Sequence, residues 1–378
     1  MNYKIKLSSP DMGGQEIKYI QEAFDSNWIA PVGDNINAFE KHLETYLGVQ
    51  VSVAALSSGT AALHLALILA GVKHDDEVIC QSLTFAASAF PILYQGAKPI
   101  FVDSEKDTWN MCSLWLEKAI QDRIEKGKKP KAIIVVHIFG MPAKMGDILQ
   151  ISKKYNITLI EDAAEALGSE YHGQKCGTFG DFGVLSFNGN KIITTSGGGA
   201  LICKNNALKD QAIFLATQAK EDKPWYEHQT VGHNYRLSNI AAGIGRGQMK
   251  VLCSHIEKRR LNHTFYKSLF EPYQFITIFS EYDDFLKSNH WLTCIQFKSN
   301  DQNKSSRGLM THLSHHQIES KPIWKPLHLQ PVFQNCLYYG ERISETLFEH
   351  GLCLPSGSNL TDKQKEMIAK VVREYLDA

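Results

Sequence analysis

The chain carries no surplus charge of either sign, and this limits the partners that it can bind. Its 378 residues include 40 basic and 40 acidic side chains, which gives a formal net charge of zero and a pI near 7.2. Nucleic acids and anionic membrane surfaces are bound chiefly through a basic surplus. We therefore expect neither of them to be the main partner.

Long apolar runs are also absent. No stretch of about 18 consecutive apolar residues occurs, and residues 1–10 lack the apolar segment of a signal peptide. We expect a soluble, cytoplasmic protein. The length is sufficient for one large domain and one smaller domain, each with its own core. The predicted boundary separates a large domain with an N-terminal arm, residues 1–249, from a smaller C-terminal α+β domain, residues 250–378.

Paired cysteine and histidine motifs are missing as well. The eight cysteines are scattered without a CxxC pair, and the fifteen histidines include no HExxH motif. Scattered thiols in a large chain of this kind are usually ordinary core or surface residues. We expect no disulfide framework, no zinc site of a known spacing and no catalytic metal.

The sequence does contain a regular alternation of strand-like and helix-like segments. Short apolar runs predict strands at 51–56, 77–81, 99–102, 132–137, 157–160, 183–187, 200–203 and 291–297. Helical periodicity predicts helices at 15–26, 34–47, 61–70, 85–94, 113–126, 144–155, 207–218, 241–248, 250–270, 308–313 and 362–376. This order is typical of an α/β fold with a mainly parallel sheet covered on both faces. Ligands of such sheets bind beyond the carboxyl ends of the strands.

Several chemically useful residues fall at those strand ends. Gly59 and Thr60 open a helix directly after a strand, a position where free backbone N–H groups can bind an anion such as phosphate. Taken alone, this turn is better explained as an ordinary helix cap. Phe85, His137 and Asp162 fall at the ends of three further predicted strands or just past them. Their common position at one sheet edge is more informative than any one of them.

Lys191 lies in a polar turn between an apolar run and the triple glycine 197–199. Most lysines are solvated surface groups, and position alone favours that interpretation. The strand-like runs on both sides bring this lysine near a sheet end, where a half-buried amine loses its proton more readily and can attack a carbonyl. We interpret the glycines as room for a bound nucleotide sugar or for a partner subunit.

Together these residues meet the requirements for holding pyridoxal 5'-phosphate. The phosphate needs N–H groups and hydroxyls, the ring needs an aromatic or apolar face, the ring nitrogen needs a carboxylate, and the aldehyde needs a lysine. Each signal is weak when it stands alone. Their combination in this order is considerably more specific.

The sequence resembles the DegT/DnrJ/StrS family of nucleotide-sugar aminotransferases from Pro10 to the C-terminus. The resemblance rests on SSGTAAL at 57–63, IEDAAEALG at 160–168, GTFGD at 177–181, SFNGNKIITTSGGG at 186–199 and NYRLSN at 234–239. It implies the fold-type I, aspartate aminotransferase-like architecture of pyridoxal phosphate enzymes, with a mainly parallel seven-stranded sheet in the large domain. Some relatives act as dehydratases with histidine in place of the lysine, an outcome that Lys191 disfavours.

Four segments, 12–14, 27–31, 188–199 and 321–328, are most similar to UDP-N-acetylbacillosamine transaminases. This similarity implies amination of C4 of UDP-2-acetamido-2,6-dideoxy-4-keto-glucose with L-glutamate as donor, which leaves 2-oxoglutarate. Such a step belongs to bacillosamine-type sugar synthesis for glycoproteins or surface glycans. The alternatives are the same chemistry on a GDP- or dTDP-linked 4-keto sugar, a regulator on the same fold, and a sugar-binding protein without cofactor.

The resemblance also implies roles for the cofactor-binding residues. Lys191 would bind the cofactor aldehyde covalently and later move a proton, Asp162 would pair with the ring nitrogen, and Phe85 would stack on the ring. The phosphate would be bound by Gly59, Thr60 and Ser186. Glu165 would lie near the 3' oxygen of the cofactor. Asn234 would reach the phosphate of the neighbouring subunit, which implies a homodimer with shared active sites.

Substrate contacts are implied for two loops. Asn27, Trp28, Ile29 and Ala30 would lie along the sugar, although a loop tryptophan is more often a core residue. Trp324, Lys325 and His328 are candidates for the nucleotide end, and the alternative is that this proline-bounded loop closes a domain. For His137, two roles remain open: a purely structural role, or contact with residues that themselves bind the cofactor.

Overall fold

The computed structural model describes residues 3–298 and 304–378 of the chain. Helices cover nearly all the predicted helical segments. They are α1 Glu16–Asp25, α2 Asp34–Leu47, α3 Gly59–Leu69, α4 Phe90–Tyr94, α5 Ser113–Glu125, α6 Met145–Tyr155, α7 Asn206–Ala216, α8 Asn239–Met249, α9 Leu252–Phe270, α10 Ser306–His315, α11 Ile343–His350 and α12 Asp362–Leu376.

The strands fall within or close to the predicted segments, with short additional ones. They are β1 Ser52–Leu56, β2 Glu77–Gln81, β3 Lys98–Val102, β4 Ala132–Val136, β5 Thr158–Asp162, β6 Glu170–Tyr171, β7 Gln174–Lys175, β8 Phe182–Ser186, β9 Gly199–Cys203, β10 Ile276–Ile278, β11 Leu286–Lys287, β12 Thr293–Phe297, β13 Lys321–Pro322, β14 Leu337–Tyr339 and β15 Gly351–Leu354.

The large sheet has the order β1-β9-β8-β5-β4-β2-β3-β14. Its neighbours pair in parallel except around β9, which is antiparallel to both β1 and β8. The α/β class and the mainly parallel sheet are confirmed. An eighth strand joins the seven that the resemblance implied, because Leu337–Tyr339 in the C-terminal part pairs in parallel with β3.

Helices cover both faces of this sheet. In β1, Ala54 and Leu56 belong to one hydrophobic core with α3 and α7, whereas Val53 and Ala55 belong to another core with α2. Side chains of a strand alternate between the two faces, so a strand covered on both sides becomes apolar throughout. This is the reason that the strands read as continuous apolar runs.

The predicted helix at 85–94 is wrong as a single element. The structure has a short 3₁₀ turn, Ala86–Ser88, followed by α4. Pro91 has no backbone N–H and cannot donate the bond that a continuous helix would need there. Phe85 is extended, with φ −70° and ψ 145°, just before the 3₁₀ turn.

The C-terminal part contains a smaller antiparallel sheet with the order β10-β12-β15-β13. A separate hydrophobic core packs this sheet against α9, α10 and α12. The domain boundary at 249/250 stays a prediction, since β14 from this part of the chain extends the large sheet. Within the described residues, none of the helices has the length and apolar character needed to cross a membrane.

Candidate active site

A cavity of about 530 Å³ opens at the carboxyl ends of the parallel strands. Its walls come from the segments that follow β1, β2, β5 and β8, which topology places at one edge of the sheet. Among the predicted site residues, eight line this cavity: Gly59, Thr60, Phe85, Asp162, Glu165, Ser186, Lys191 and Trp324. Residues separated by more than 200 positions in sequence thus share one space.

Lys191 is held in the loop that joins the antiparallel strands β8 and β9. Backbone bonds close the base of this loop, because Phe187 N donates to Gly198 O at 2.8 Å and Thr195 N donates to Phe187 O at 3.0 Å. Ile192 and Ile193, which follow the lysine, are buried and anchor the loop to the core. The loop therefore presents Lys191 to the cavity from a fixed base.

Two side chains surround the Lys191 amine. Its Nζ lies 3.4 Å from Oε1 of Glu165 and 4.2 Å from the centre of the Trp291 ring. The indole Nε1 of Trp291 donates to the Asn190 carbonyl at 2.7 Å, which fixes the ring beside the lysine loop. An ammonium over an aromatic face is stabilised by the ring quadrupole. Glu165 and Trp291 together define where the amine rests.

Glu165 is a buried carboxyl group, only 6% exposed. Burial raises its pKa, an effect that the Asp162 charge reinforces and that Lys191 and the Phe139 N–H oppose. The Phe139 N–H donates to Oε2 at 2.7 Å. A carboxyl group with a raised pKa can hold a proton beside the lysine amine.

Asp162 ends β5 at the floor of the cavity. Its Oδ2 accepts a hydrogen bond from the Ser88 hydroxyl at 2.7 Å, and its Oδ1 accepts one from the Ala164 N–H at 3.1 Å. Ser88 is in turn 2.7 Å from the Thr84 hydroxyl. This network orients a carboxylate toward a ligand that can offer it a proton.

The anion-binding corner is formed by the start of α3 and the end of β8. Ser58 caps the helix by accepting from the Ala61 N–H at 3.0 Å, so the N–H groups of Gly59 and Thr60 lack an acceptor within the helix. Ser186 lies next to them, since a Cβ built on Gly59 would be 3.5 Å from its hydroxyl oxygen. N–H groups at a helix start beside a hydroxyl suit a phosphate group.

The three glycines after Lys191 are required for different structural reasons. This corrects the interpretation of the whole run as room for a ligand or partner. A Cβ on Gly199 would lie 2.4 Å from the Gly59 N and from the Ser58 C, and a Cβ on Gly198 would lie 2.2 Å from the Thr195 hydroxyl oxygen. Both positions are needed for packing within the chain. Only Gly197, which has nothing within 4 Å, leaves open space.

Two groups of predicted site residues lie outside this cavity. Asn27, Trp28, Ile29 and Ala30 are exposed, so the alternative that Trp28 is a core residue is wrong. Their loop is fixed through its backbone, because the Asn239 side chain donates to the Trp28 carbonyl at 2.6 Å. Asn234 is also exposed. The contacts of these residues with the sugar and with the neighbouring subunit's phosphate stay predictions.

The 321–328 loop divides between the cavity and the core. Trp324 lines the cavity, and its Nε1 is buried with no hydrogen-bond partner within the described residues. Lys325 is exposed outside the cavity. His328 is held elsewhere: its Nδ1 is 2.7 Å from the Ser82 hydroxyl, and its ring stacks on Tyr338 at 3.8 Å. These contacts favour a structural role for His328.

His137 is buried away from the cavity lining. Its Nδ1 accepts from the Ala143 N–H at 3.0 Å, so the proton lies on Nε2, which donates to Glu161 at 2.9 Å. Glu161 also accepts from the N–H groups of Gly177, Phe179 and Gly180. Of the two roles left open for His137, the contacts support the structural one.

Sequence reasoning missed several residues that shape the site. The sequence pattern predicts Trp291 as the start of a strand and Ser88 as part of a helix. Ser8 from the N-terminal arm and Glu319 also line the cavity, and Glu319 accepts from the Leu7 N–H at 3.0 Å. No local pattern marks these residues, since they reach the cavity from distant parts of the chain.

The residues of the cavity fit pyridoxal phosphate by their chemistry. A lysine amine, an oriented carboxylate and a helix start with a neighbouring hydroxyl stand around one space, with the ring of Phe85 at its wall. These groups match the aldehyde, the ring nitrogen, the phosphate and the ring face of the cofactor. The fold and the site therefore define a pyridoxal phosphate enzyme of the fold-type I class.

Comparison with known proteins agrees with this class. The model of the DegT/DnrJ/EryC1/StrS aminotransferase family matches residues 10–373. EpsN of Bacillus subtilis (strain 168) is 48% identical over 376 residues, covering 98% of this chain and 96% of the relative. GDP-perosamine synthase of Escherichia coli O157:H7 is 35% identical, covering 98% of each chain.

Solved structures give the same result. The PLP-form of the sugar aminotransferase Spr1654 from Streptococcus pneumoniae superposes with a TM-score of 0.89 at 26% identity, covering 99% of each chain. The chain belongs to the DegT/DnrJ/EryC1/StrS aminotransferase family. It is a sugar aminotransferase with pyridoxal phosphate as cofactor, and this confirms the cofactor prediction.

Proposed function

We propose that the enzyme transfers the amino group of L-glutamate to C4 of UDP-2-acetamido-2,6-dideoxy-4-keto-glucose. The product is UDP-4-amino-4,6-dideoxy-N-acetylglucosamine, which is used in bacillosamine-type sugar synthesis. The observation that carries the chemistry is the position of Lys191, whose amine faces the cavity next to Glu165 and Trp291. The choice of sugar rests on the similarity of the segments at 27–31 and 188–199 to UDP-N-acetylbacillosamine transaminases. The cytoplasmic location remains a prediction.

The bound cofactor supplies an electrophilic aldehyde and a ring that accepts electrons from the carbon that loses its proton. Asp162, oriented by Ser88 and Ala164, would keep a proton on the ring nitrogen. The N–H groups of Gly59 and Thr60 and the Ser186 hydroxyl would bind the phosphate. Phe85, 64% exposed in the single chain, would cover one face of the ring.

Lys191 acts as the general base and acid of both half-reactions. Once released from the cofactor, its amine would move the proton from Cα of L-glutamate to C4' of the cofactor in the first half, and from C4' to C4 of the sugar in the second. Glu165 lies 3.4 Å away, and its raised pKa would allow it to exchange a proton with this amine. The Trp291 ring limits the positions that the amine can take.

The sugar assignment is tested with a panel of UDP-, GDP- and dTDP-linked 4-keto-6-deoxy sugars, with L-glutamate as donor and mass spectrometry as readout. We expect turnover of the UDP-linked N-acetyl sugar. Turnover of only the GDP- or dTDP-linked sugars would contradict the assignment. The GDP-linked substrate is the second candidate, favoured by the 35% identity to GDP-perosamine synthase.

The catalytic role of Lys191 is tested in the same assay. Lys191→Ala should abolish turnover and the near-visible absorbance of the lysine-bound cofactor. Lys204→Ala is the matched control, because Lys204 lies on the surface in a 2.6 Å ion pair with Asp181 outside the cavity. A colourless wild-type protein after addition of pyridoxal phosphate would overturn the role of Lys191 as the cofactor anchor.

We also propose that Asn234 binds the phosphate in the neighbouring subunit of a homodimer. Mixing the inactive variants Lys191→Ala and Asn234→Ala would then create heterodimers with one intact site. Equal mixing should restore roughly a quarter of the wild-type activity, since about half of the dimers are mixed and each carries one working site of two. An unrestored mixture would show that Asn234 acts within its own subunit.

A further inference from the structure

We propose that His312, His316 and Glu374 form a binding site for one zinc-class divalent ion, separate from the catalytic cavity. His312 and His316 are four residues apart at the C-terminal end of α10, so they lie on the same side of the helix. Glu374 is contributed by the last turns of α12. The three side chains thus join two helices that are distant in sequence.

The spacing of the three side chains suits a single ion. One ligand atom from each residue lies within 4.8 Å of the others. Two ligands on one tetrahedral zinc ion, with bonds of about 2.0–2.1 Å, are roughly 3.4 Å apart. Small rotations of the exposed Glu374 and of the histidine rings would bring the atoms to that separation. The backbone need not move.

The chemistry of the three residues also favours a zinc-class ion. Two imidazoles and one carboxylate form a ligand set found in zinc sites, with the fourth position left to water. Imidazole is a poor ligand for calcium and magnesium, which prefer oxygen atoms. No closely spaced motif such as HExxH marks this cluster in the sequence, because the third ligand comes 58 residues after His316.

The three residues have few competing partners. The Nε2 atom of His312 is buried and has no hydrogen-bond partner in the part of the chain that the structure describes. Glu374 is paired only loosely with Lys370, at 3.8 Å on an exposed helix face. An exposed ion pair of this kind contributes little to stability. An arriving ion therefore displaces few polar contacts. The His312 ring also packs against the rings of His316 and Tyr375, with 4.9 and 5.6 Å between ring centres.

An ion bound at this site would stabilise the part of the chain that contains the smaller sheet, and it would take no part in the reaction. None of the three residues lines the catalytic cavity. Their helices α10 and α12 pack on the same hydrophobic core, which includes Leu309, Leu313 and Val372. A metal bridge between these helices would stabilise this core by mass action, and the stabilisation would rise with the logarithm of the free metal concentration above the Kd. The proposal is thus independent of the sugar specificity.

The test is a titration of the full-length, tag-free holoenzyme with Co²⁺, which reports tetrahedral nitrogen and oxygen ligation by its visible absorption, followed by competition with Zn²⁺. We expect one ion per chain and a rise of Tm with Zn²⁺. His316→Ala and Glu374→Gln should each weaken Co²⁺ binding by at least about tenfold, because each removes one of three ligands. Both variants should keep aminotransferase turnover.

His315→Ala provides the matched control. This neighbouring histidine is exposed on α10 but does not belong to the cluster. It should bind Co²⁺ as the wild type does. Equal weakening by His315→Ala, undiminished binding by His316→Ala, or no stoichiometric binding by the wild type would each overturn the proposal. If Tm without metal is unchanged in the variants, lost binding cannot come from misfolding.

Discussion

Glu165 illustrates how the fold adjusts one carboxyl group for the chemistry beside it. It is placed by the segment after β5, receives the Phe139 N–H at 2.7 Å and faces the Lys191 amine at 3.4 Å. Phe139 adopts a left-handed φ of 55° to aim this N–H. A backbone conformation that is costly for a bulky residue is thus used to hold the carboxyl group.

Glu165→Gln is expected to change the pH dependence of stability in the cofactor-free protein. The pKa of Glu165 is raised above its ordinary value of 4.5. The folded state therefore holds this proton more tightly than the unfolded state, and the free energy of unfolding falls as pH rises through the interval between the two pKa values. The variant lacks this fall, so its stability relative to the wild type should increase from pH 4.5 upward.

Urea unfolding at a series of pH values checks this expectation. Glutamine retains an oxygen that can accept the Phe139 N–H, so the hydrogen bond itself is preserved. A constant difference between the two proteins from pH 4 to pH 8 would show that burial does not raise the pKa of Glu165. Glu170→Gln serves as the control, because ion pairs lower the pKa of Glu170 and its contribution has the opposite sign.

Trp291 is expected to position Lys191. Trp291→Leu removes the ring face from the lysine amine, and loss of a cation–π contact of about 0.5–2 kcal/mol would reduce kcat roughly two- to thirtyfold. Trp291→Phe keeps an aromatic face and should lose less. Single-turnover rates and Tm are measured together for both variants. An equal loss of kcat in the two would indicate that the packing of Trp291, and not its ring face, supports the lysine.

At the level of elements, the site depends on the close approach of β9 to the start of α3. Gly199 pairs with both Leu56 and Ser186, the last residues of β1 and β8. This pairing brings the ends of the two parallel strands to either side of the helix start. The anion-binding corner therefore forms because β9 lies between β1 and β8, runs antiparallel to both, and has at this point Gly199, which carries no side chain.

Gly199→Ala is expected to destabilise the protein by about 2–4 kcal/mol, because its methyl group would overlap backbone atoms that cannot rotate away. Those atoms, Gly59 N and Ser58 C, would both be 2.4 Å from the new Cβ. Affinity for pyridoxal phosphate should fall in parallel. Urea unfolding and a cofactor titration provide the measurements.

Gly197→Ala is the matched control in the same glycine run. A Cβ at this position has nothing within 4 Å. The change in the free energy of unfolding should stay within about 0.5 kcal/mol, or be slightly stabilising through the unfolded state. Equal destabilisation by both substitutions would show that the run is conformationally strained throughout and that close packing at Gly199 is not the cause.

Across the whole molecule, buried neutral histidines make the fold sensitive to acid. Burial and the neighbouring His233 lower the pKa of His64 to about 4, and burial with the stacked His290 lowers that of His263 to about 4. The unfolded chain takes up these protons near pH 6.5, whereas the folded chain does so only near pH 4. The contribution of these two histidines to the free energy of unfolding is therefore present in full above pH 6.5 and is lost as the pH falls toward 4.

The expected slope approaches about 1.4 kcal/mol per pH unit for each of the two histidines. The free energy of unfolding, obtained from urea denaturation as the midpoint multiplied by m between pH 7 and pH 4.5, gives this slope. His64→Gln should make the dependence shallower, since one of the two protonation sites is removed. An unchanged slope in this variant would show that other groups cause the acid sensitivity.

Most of the longer strands and helices could be predicted from the sequence because each carries its own periodicity. The helix α11 and the short strands fall in no predicted segment; these strands are β6, β7, β10, β11, β13, β14 and β15. The boundaries of α2 and β2 agree with their predicted segments. Lys191, Asp162 and the start of α3 were identified because strand ends of a parallel sheet meet at one edge. The roles of Asn234 and of the 27–30 loop stay predictions, since they concern a second subunit and a substrate.

Tertiary structure alone decided the features that depend on distant segments. Trp291 reaches Lys191, Ser88 reaches Asp162, and β14 extends the sheet beyond β3. None of these pairings leaves a local pattern, because periodicity reports which face of an element is buried and not what is buried against it. The glycine run 197–199 illustrates the same point. Gly198 and Gly199 are closely packed and Gly197 is open, and only the folded chain distinguishes these three identical residues.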